Sequence, residues 1–210
     1  MTNFKNDSTH LKKFGIGVID KIPKKHIDFL KKNINEDNKS NHLLAGHIDK
    51  EYHYKIWPKS FEEWIVKTTT DNKEVQEHLN NIKVLSKNVP YSLNSLWINL
   101  QKKYEFNPLH DHSGVLSFII FLKIPYDLKK EDKVFAPTSS VYHTSRLSFV
   151  TSRFNKMHYI LASVDNSYEN KMLVFPANLL HEVYPFYTSN DYRITVPGNI
   201  ALFTGQYVRV

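Results

Sequence analysis

The chain of 210 residues contains no cysteine. Disulfides, zinc sites with thiolate ligands, iron–sulfur clusters and cysteine nucleophiles are therefore excluded, and any bound metal must be held by histidine, aspartate or glutamate. Long apolar runs are also missing, because stretches such as 116–122 are far shorter than the roughly 20 residues that span a bilayer. The polar N-terminus does not resemble a secretion signal. We therefore expect a soluble cytoplasmic protein with no membrane partner.

The composition is that of a folded domain. Hydrophobic residues make up 41% of the chain and aromatic residues 13%, and a chain of this size buries about 70% of its unfolded surface. Global disorder is thus excluded. At roughly 100–200 residues per domain, the length predicts a single domain over 1–210. The formal net charge of +7 permits nucleic-acid or other anionic partners without choosing among them.

The spacing of apolar residues divides the chain near residue 90. We predict a helical N-terminal part over 1–90 and a β-rich core over 91–210. Short strands at near-regular spacing are typical of an antiparallel sandwich or jelly roll. The predicted strands are 92–103, 116–124, 142–150, 157–164, 171–175, 192–197 and 199–203. The fold class is therefore α+β, mainly β: a cupin-like jelly roll, or double-stranded β-helix, braced by N-terminal helices.

The N-terminal part begins with a polar, lysine-rich lead-in that has no periodicity. A short strand is predicted at 15–19 and an amphipathic helix at 23–35. A second helix is predicted after Pro58, with Ser60 as its N-cap and Glu63 completing a capping box. Its apolar stripe consists of Phe61, Trp64, Ile65, Val75, Leu79, Ile82 and Leu85.

The stretch NPLHDHSG, residues 107–114, carries the most informative motif. His110 and His112 are two residues apart, so in an extended chain their side chains leave the same face, about 6–7 Å apart. That spacing suits two ligands of one metal ion, while Asp111 points the other way. Two histidines on a solvent-exposed loop would have the same spacing. The motif alone therefore does not decide whether His110 and His112 bind a metal ion or lie on such a loop.

A third histidine and an arginine follow in the second half of the chain. His181 lies in VFPANLLHEVYP, where an apolar strand runs through a short bend into the next strand. Arg193 follows twelve residues later, and a hairpin of that length can return the chain beside His181. A guanidinium there would grip a carboxylate through two parallel charge-assisted hydrogen bonds. The alternative for Arg193 is a surface ion pair.

Together these motifs resemble the Fe(II)- and 2-oxoglutarate-dependent dioxygenase superfamily. The resemblance covers roughly 92–210 and rests on WIN, NPLHDHSG, LSFIIFLKIP, FPANLLHEVYPF and YRITVPGNI. The nearest branch is that of the small oxygenases of bacteria and tailed phages, which have a prolyl-hydroxylase-like core. A phage-encoded member would work in the cytoplasm of the host. The superfamily motif is His-x-Asp or His-x-Glu, so the histidine at position 112 departs from it.

The resemblance implies a hydroxylase that uses Fe(II) and 2-oxoglutarate, with decarboxylation of 2-oxoglutarate to succinate. His110 and His181 would be catalytic iron ligands, and Arg193 would hold the distal carboxylate of 2-oxoglutarate. His112 would be the third ligand, with Asp111 on a local bulge, or water, as alternatives. Asn99 would bind 2-oxoglutarate or the substrate, or else be a polar residue on a half-exposed sheet.

Two other functions fit the same residues. A cupin-type metalloenzyme would use the three histidines without 2-oxoglutarate, and Arg193 would then be dispensable for cosubstrate binding. A non-catalytic jelly-roll module would bind nucleic acid or a protein, but the lysine pairs are dispersed, which favours solvated faces. The substrate is expected to be a small molecule or a peptidyl group, with 127–141 as a candidate lid beside the site.

Overall fold

The computed structural model describes residues 8–83, 89–136, 138, 139, 142–153 and 156–203. The strands are β1 (Gly17–Ile19), β2 (Lys50–His53), β3 (Tyr91–Gln101), β4 (Asn107–His110), β5 (Leu116–Lys123), β6 (Leu147–Arg153), β7 (Lys156–Ala162), β8 (Met172–Pro176), β9 (Leu180–Val183) and β10 (Arg193–Leu202). A six-stranded sheet has the order β1-β8-β5-β10-β3-β2, and a four-stranded sheet has the order β4-β9-β6-β7. Every pairing in both sheets is antiparallel. The predicted mainly β, jelly-roll architecture is confirmed.

The helices are α1 (Ser8–Lys12), α2 (Lys24–Lys32), α3 (Lys59–Thr70), α4 (Gln76–Asn81) and α5 (Leu128–Val134). The first four precede β3, as the predicted helical N-terminal part requires. That part is not helical throughout, because β1 and β2 form the two edges of the larger sheet. Within the described residues, no helix has both the length and the apolar character needed to cross a membrane.

Two apolar cores lie on opposite faces of the larger sheet. On one face, α2 and α3 bury Leu30, Phe61 and Ile65 against Leu96 and Ile98 of β3. On the other face, the core fills the space between the two sheets. Side chains alternate along β3: Leu96 and Ile98 face the helices, whereas Trp97, Asn99 and Gln101 face the smaller sheet, where a cleft remains open. The strand alternation thus places its polar residues in the candidate site.

The structure has one long strand near the C-terminus where the sequence predicts two. The predicted strands, 192–197 and 199–203, leave only Gly198 between them. Gly198 instead lies inside β10, whose register shifts by a bulge between Asn199 and Ile200. A Cβ at position 198 would meet the Phe118 ring at 2.4 Å, so glycine here permits close packing between strands. One continuous strand, β10, therefore runs from Arg193 at the cleft to Leu202 at its other end.

The second N-terminal helix also differs from its prediction. It begins after Pro58, which is the N-cap and makes no side-chain cap hydrogen bond. Ser60 lies inside the helix, so the predicted capping box is wrong. The helix ends at Thr70, and Val75 and Leu79 belong to a 3-10 turn and to α4. Leu85 lies outside the described residues.

Two segments that were predicted to be irregular contain helices. In the lead-in, α1 buries Leu11. In the candidate lid, 127–141, α5 is anchored because the buried carboxylate of Glu131 accepts hydrogen bonds from the backbone N–H groups of Tyr187 and Thr188. Positions 137, 140 and 141 lie outside the described residues. The predicted strand 142–150 also begins later, at Leu147.

Candidate metal centre

Three histidines converge at one place between the two sheets. His110 ends β4, His112 follows it, and His181 lies in β9. Each histidine offers one ring nitrogen as a ligand atom, and these three nitrogens all lie within 4.8 Å of one another. The ring centroids are 4.3 Å apart for His110 and His181, 4.9 Å for His110 and His112, and 5.0 Å for His112 and His181. This spacing allows all three imidazoles to bind one ion.

The backbone explains how two distant segments meet here. His110 and His181 are register partners in the β4–β9 pair, so their side chains project from the same face of the small sheet. The strand ends at His110, and His112 is held by a hydrogen bond from its N–H to Ala177 O at 2.9 Å. Gly114 then takes a φ of +112°, a conformation that only glycine adopts easily. The predicted same-side placement of His110 and His112 is present, although only His110 lies in a strand.

Backbone carbonyl groups set the orientation of two of the imidazoles. His110 Nδ1 lies 2.7 Å from Pro108 O, and His181 Nδ1 lies 2.9 Å from Leu179 O. A carbonyl oxygen can only accept, so each Nδ1 must carry the proton. The Nε2 atoms are then the free ligand atoms. A backbone carbonyl in this role is a common way to fix the tautomer of a metal-binding histidine.

The electrostatics keep His112 and His181 neutral. Burial, together with the neighbouring histidines, lowers the pKa of His181 to about 3 and that of His112 to about 4. Phe149 and Phe175 pack beside the His181 ring, which explains its dry surroundings. Neutral imidazole is the form that binds a metal ion, and nitrogen ligands suit Fe(II). The residues present therefore fit a ferrous ion.

Carboxylates do not belong to this group among the described residues. Asp111, the predicted rival ligand, is exposed between the two histidines that do converge. Glu182 follows His181 in β9 and is the register partner of Ser148, on the opposite face of the small sheet from His181. The candidate metal centre thus consists of three histidines alone.

The histidines line a cleft between the two sheets. Apolar side chains such as Phe121 and Leu147 line its walls, and Arg193 lies in its lining as well. Asn99 lines the same cleft, as predicted for the polar side of β3. Arg193 starts β10 of the larger sheet, whereas His181 is in the smaller one. The predicted hairpin is therefore wrong: the segment between them crosses from one sheet to the other.

All five N–H groups of the buried Arg193 guanidinium have partners within the protein. Its Nε and Nη2 donate to Gln101 Oε1 at 2.9 and 2.6 Å. Its Nη1 donates to Tyr126 Oη and to Ser145 O, both at 3.0 Å, and Nη2 also donates to Tyr184 O at 3.1 Å. Arg193 is 3% exposed, so the predicted alternative of a surface ion pair is wrong.

Tyr126 is a cleft residue that the sequence analysis missed. It lies between β5 and α5, and its hydroxyl accepts from Arg193 and donates to Ser145 O at 3.2 Å. Its ring also lies under the guanidinium, 5.7 Å from Arg193 Cζ. The local sequence KIPYDL has no ligand spacing that would single it out. Only its buried position beside Arg193 identifies it.

Comparison with known proteins agrees with this geometry. Residues 95–199, half of the chain, match the family model described as "Putative 2OG-Fe(II) oxygenase". No curated protein matches the sequence.

Solved structures of three proteins resemble the fold, each with a TM-score of 0.50. A Pseudomonas putida prolyl-4-hydroxylase is 12% identical, and the match covers 93% of this chain and 96% of that one. A 2OG-Fe(II) oxygenase family oxidoreductase from Burkholderia pseudomallei is 12% identical, with coverages of 97% and 92%. OsALKBH1 is 8% identical, with coverages of 89% and 98%. The family match, the shared fold and the histidine centre lead to one conclusion: the chain belongs to the 2OG-Fe(II) oxygenase family, hydroxylating enzymes that use Fe(II) and 2-oxoglutarate.

Proposed function

We propose that His110, His112 and His181 bind the catalytic Fe(II) and that Arg193 binds the distal carboxylate of 2-oxoglutarate. The observation that carries this proposal is the position of a buried guanidinium in the same cleft as three converging imidazoles. When Fe(II) and 2-oxoglutarate are bound, O2 would be the oxidant: one of its oxygen atoms would enter succinate as 2-oxoglutarate loses CO2, and the other would hydroxylate the substrate. The substrate is a small molecule or a peptidyl group that reaches the metal through the open end of the cleft.

In this proposal Arg193 exchanges partners when the dicarboxylate binds. Gln101 Oε1 accepts from both Nε and Nη2, and these two atoms form one edge of the planar guanidinium. A carboxylate on that edge would receive two parallel hydrogen bonds and would add the attraction of a full negative charge, which the amide of Gln101 lacks. Tyr126, whose hydroxyl already contacts Nη1, would hold the carboxylate as well. The carboxylate would therefore compete with Gln101 for this edge of the guanidinium.

The rest of the cleft would protect the reaction from water. Phe121, Leu147, Val164 and Val183 supply apolar walls between the histidines and Arg193. Water-poor walls strengthen the interaction of the guanidinium with a carboxylate, because the local dielectric constant is low. They also keep solvent away from the metal while the substrate reacts.

The cupin-type alternative also has a specific observation in its favour. A guanidinium whose five N–H groups are all satisfied by the protein can be a structural group with no ligand. The metal site would then act without 2-oxoglutarate. The two functions differ in whether Arg193 is needed to recognise a dicarboxylate.

Succinate formation from 2-oxoglutarate under air distinguishes them. We expect wild-type protein with Fe(II) to form succinate slowly without added substrate, and Arg193→Ala to lose this activity. Arg146→Ala is the matched control, because Arg146 is also a buried arginine but pairs with Asp132 away from the cleft. Equal succinate formation by wild type and Arg193→Ala would contradict the assignment of Arg193.

A further inference from the structure

A buried carboxyl group, that of Glu51, lies beside the cleft without a role in the proposed chemistry. Glu51 is 1% exposed and lies in β2, the edge strand next to β3. It is the register partner of Asn99. Register partners project from the same face of a sheet, so both side chains point toward the smaller sheet. Glu51 therefore stands next to a residue that lines the cleft.

Asn107 meets the same carboxyl group from another direction. It begins β4, three residues before His110, and it also lines the cleft. A Cβ on Gly46 would stand 2.5 Å from Glu51 Oε1 and 2.6 Å from Asn107 Oδ1. Because Gly46 has no side chain, Glu51 Oε1 and Asn107 Oδ1 can both lie close to this position. Glu51 is surrounded by the amides of two cleft residues.

Three oxygen atoms in this group are buried without a hydrogen-bond partner among the described residues: Glu51 Oε2, Asn99 Oδ1 and Asn107 Oδ1. Oxygens that face one another without a donor cost free energy, and an ionised carboxylate would increase that cost. A proton on Glu51 changes one of the oxygens into a donor. Burial and the charge of Glu105 both favour this form, raising the pKa of Glu51 to about 8.

We propose that Glu51 is a positioning residue that stays protonated and donates its O–H to the amide oxygen of Asn107, so that the amide N–H groups of Asn107 face the cleft. The wall beside the histidines is then a hydrogen-bond donor surface. It suits a ligand with acceptor oxygens, as 2-oxoglutarate has. This inference rests on the proposed function, in which 2-oxoglutarate occupies the cleft.

The charged surroundings of Glu51 determine the direction of the pH effect. Glu105, before β4, raises its pKa by charge repulsion. His47, whose ring packs on Phe106, and His53, on β2, are further titratable groups on the neighbouring segments, and Asp49 and Lys50 directly precede Glu51. When the pH rises through the pKa of Glu51, the carboxyl loses its O–H and becomes an acceptor. The Asn107 amide would then turn its N–H groups toward it and withdraw them from the cleft.

The first experiment measures the affinity of the Fe(II)-loaded protein for 2-oxoglutarate without oxygen, from the visible absorption of the chelate, at about pH 6.5 and about pH 9. We expect wild type to bind at least about tenfold more weakly at the higher pH. Glu51→Gln cannot ionise and can still donate an N–H to Asn107, so it should bind equally at both values. Glu182→Gln, on the outer face beside His181, should keep the wild-type pH dependence.

A second measurement tests the protonation of Glu51 without 2-oxoglutarate. The infrared difference spectrum between wild type and Glu51→Gln should contain the C=O band of a protonated carboxyl at about pH 6.5, and this band should vanish well above pH 8. An ionised carboxyl at about pH 6.5, or a Glu51→Gln variant with the wild-type pH dependence, would overturn the inference. A protonated carboxyl in a wild-type protein that forms no chelate would instead defeat the proposed function.

Discussion

Gln101 Oε1 accepts two hydrogen bonds from Arg193, from Nε at 2.9 Å and from Nη2 at 2.6 Å. The amide oxygen thus takes the place that a carboxylate would take on this edge of the guanidinium. Gln101 holds Arg193 in place, and it also competes with any dicarboxylate for the same two N–H groups. The net effect of Gln101 on the affinity for 2-oxoglutarate can be measured.

Gln101→Ala removes the competitor and leaves Arg193 held by Tyr126, Ser145 and Tyr184. Because the guanidinium is charged, a hydrogen bond to it contributes about 1.5–3 kcal/mol, and we expect 2-oxoglutarate to bind at least about tenfold more tightly. Calorimetric titration of the Mn(II)-loaded protein measures this change. Weaker binding would mean that Gln101 mainly orients the guanidinium.

Tyr126→Phe removes a hydroxyl that lies between Arg193 and Ser145. We expect the affinity for 2-oxoglutarate to fall by about tenfold, because the carboxylate loses a charge-assisted hydrogen bond. Tyr168→Phe is the control, since Tyr168 is a buried tyrosine that packs on Phe121 and does not line the cleft. An unchanged affinity in Tyr126→Phe would remove Tyr126 from the binding site.

His112 takes the position that a carboxylate has in the superfamily motif, and its replacements test whether it binds the metal. His112→Ala should weaken Fe(II) binding by at least about tenfold, because one of three ligands is lost. His112→Asp should keep or increase the affinity, because a carboxylate adds a negative charge next to the ion. Asp111→Ala, a change at an exposed neighbour, should have no effect. Wild-type metal affinity in His112→Ala would show that His112 is not a ligand.

The buried histidines make the stability of the metal-free protein depend on pH. Their folded-state pKa values, about 4 for His112 and about 3 for His181, lie below the unfolded value of 6.5. Below about pH 6.5 the unfolded chain binds protons that the folded chain does not, so the free energy of unfolding falls as the pH falls. The loss is on the order of 1.4 kcal/mol per pH unit for each histidine.

Urea unfolding between about pH 5 and 7 measures this dependence. The His181→Gln variant lacks one of the two groups, so its stability should decrease less steeply on acidification than that of wild type. Parallel pH curves for wild type and His181→Gln would show that His181 can take up a proton in the folded protein.

In an extended chain the His-x-His spacing places both side chains on one side, which made His110 and His112 candidate ligands of one ion. The resemblance to the dioxygenase superfamily then implied that His181 is a further ligand and that Arg193 binds 2-oxoglutarate. The path between them was not predictable, since twelve residues can form a hairpin or cross between sheets. Their common cleft depends on tertiary packing.

Other parts of the fold and site had no local pattern to reveal them. Glu51 lies in a stretch without periodicity, and only pairing with Asn99 on a distant strand gives it a role. Pro197 and Gly198 have the local character of a strand break, but the packing of Phe118 and the bulge after Asn199 keep the strand continuous. In each of these cases, long-range contacts override the local preference of the residues.

Three histidines and one arginine are proposed to form a single site for Fe(II) and 2-oxoglutarate. The absorption spectrum of the wild-type protein without oxygen, with Fe(II) alone and then with 2-oxoglutarate, tests this site. We expect a visible charge-transfer band that needs both components, saturates at one 2-oxoglutarate per iron, and is lost in Arg193→Ala. Stable Fe(II) binding without this band at saturating 2-oxoglutarate would rule the site out.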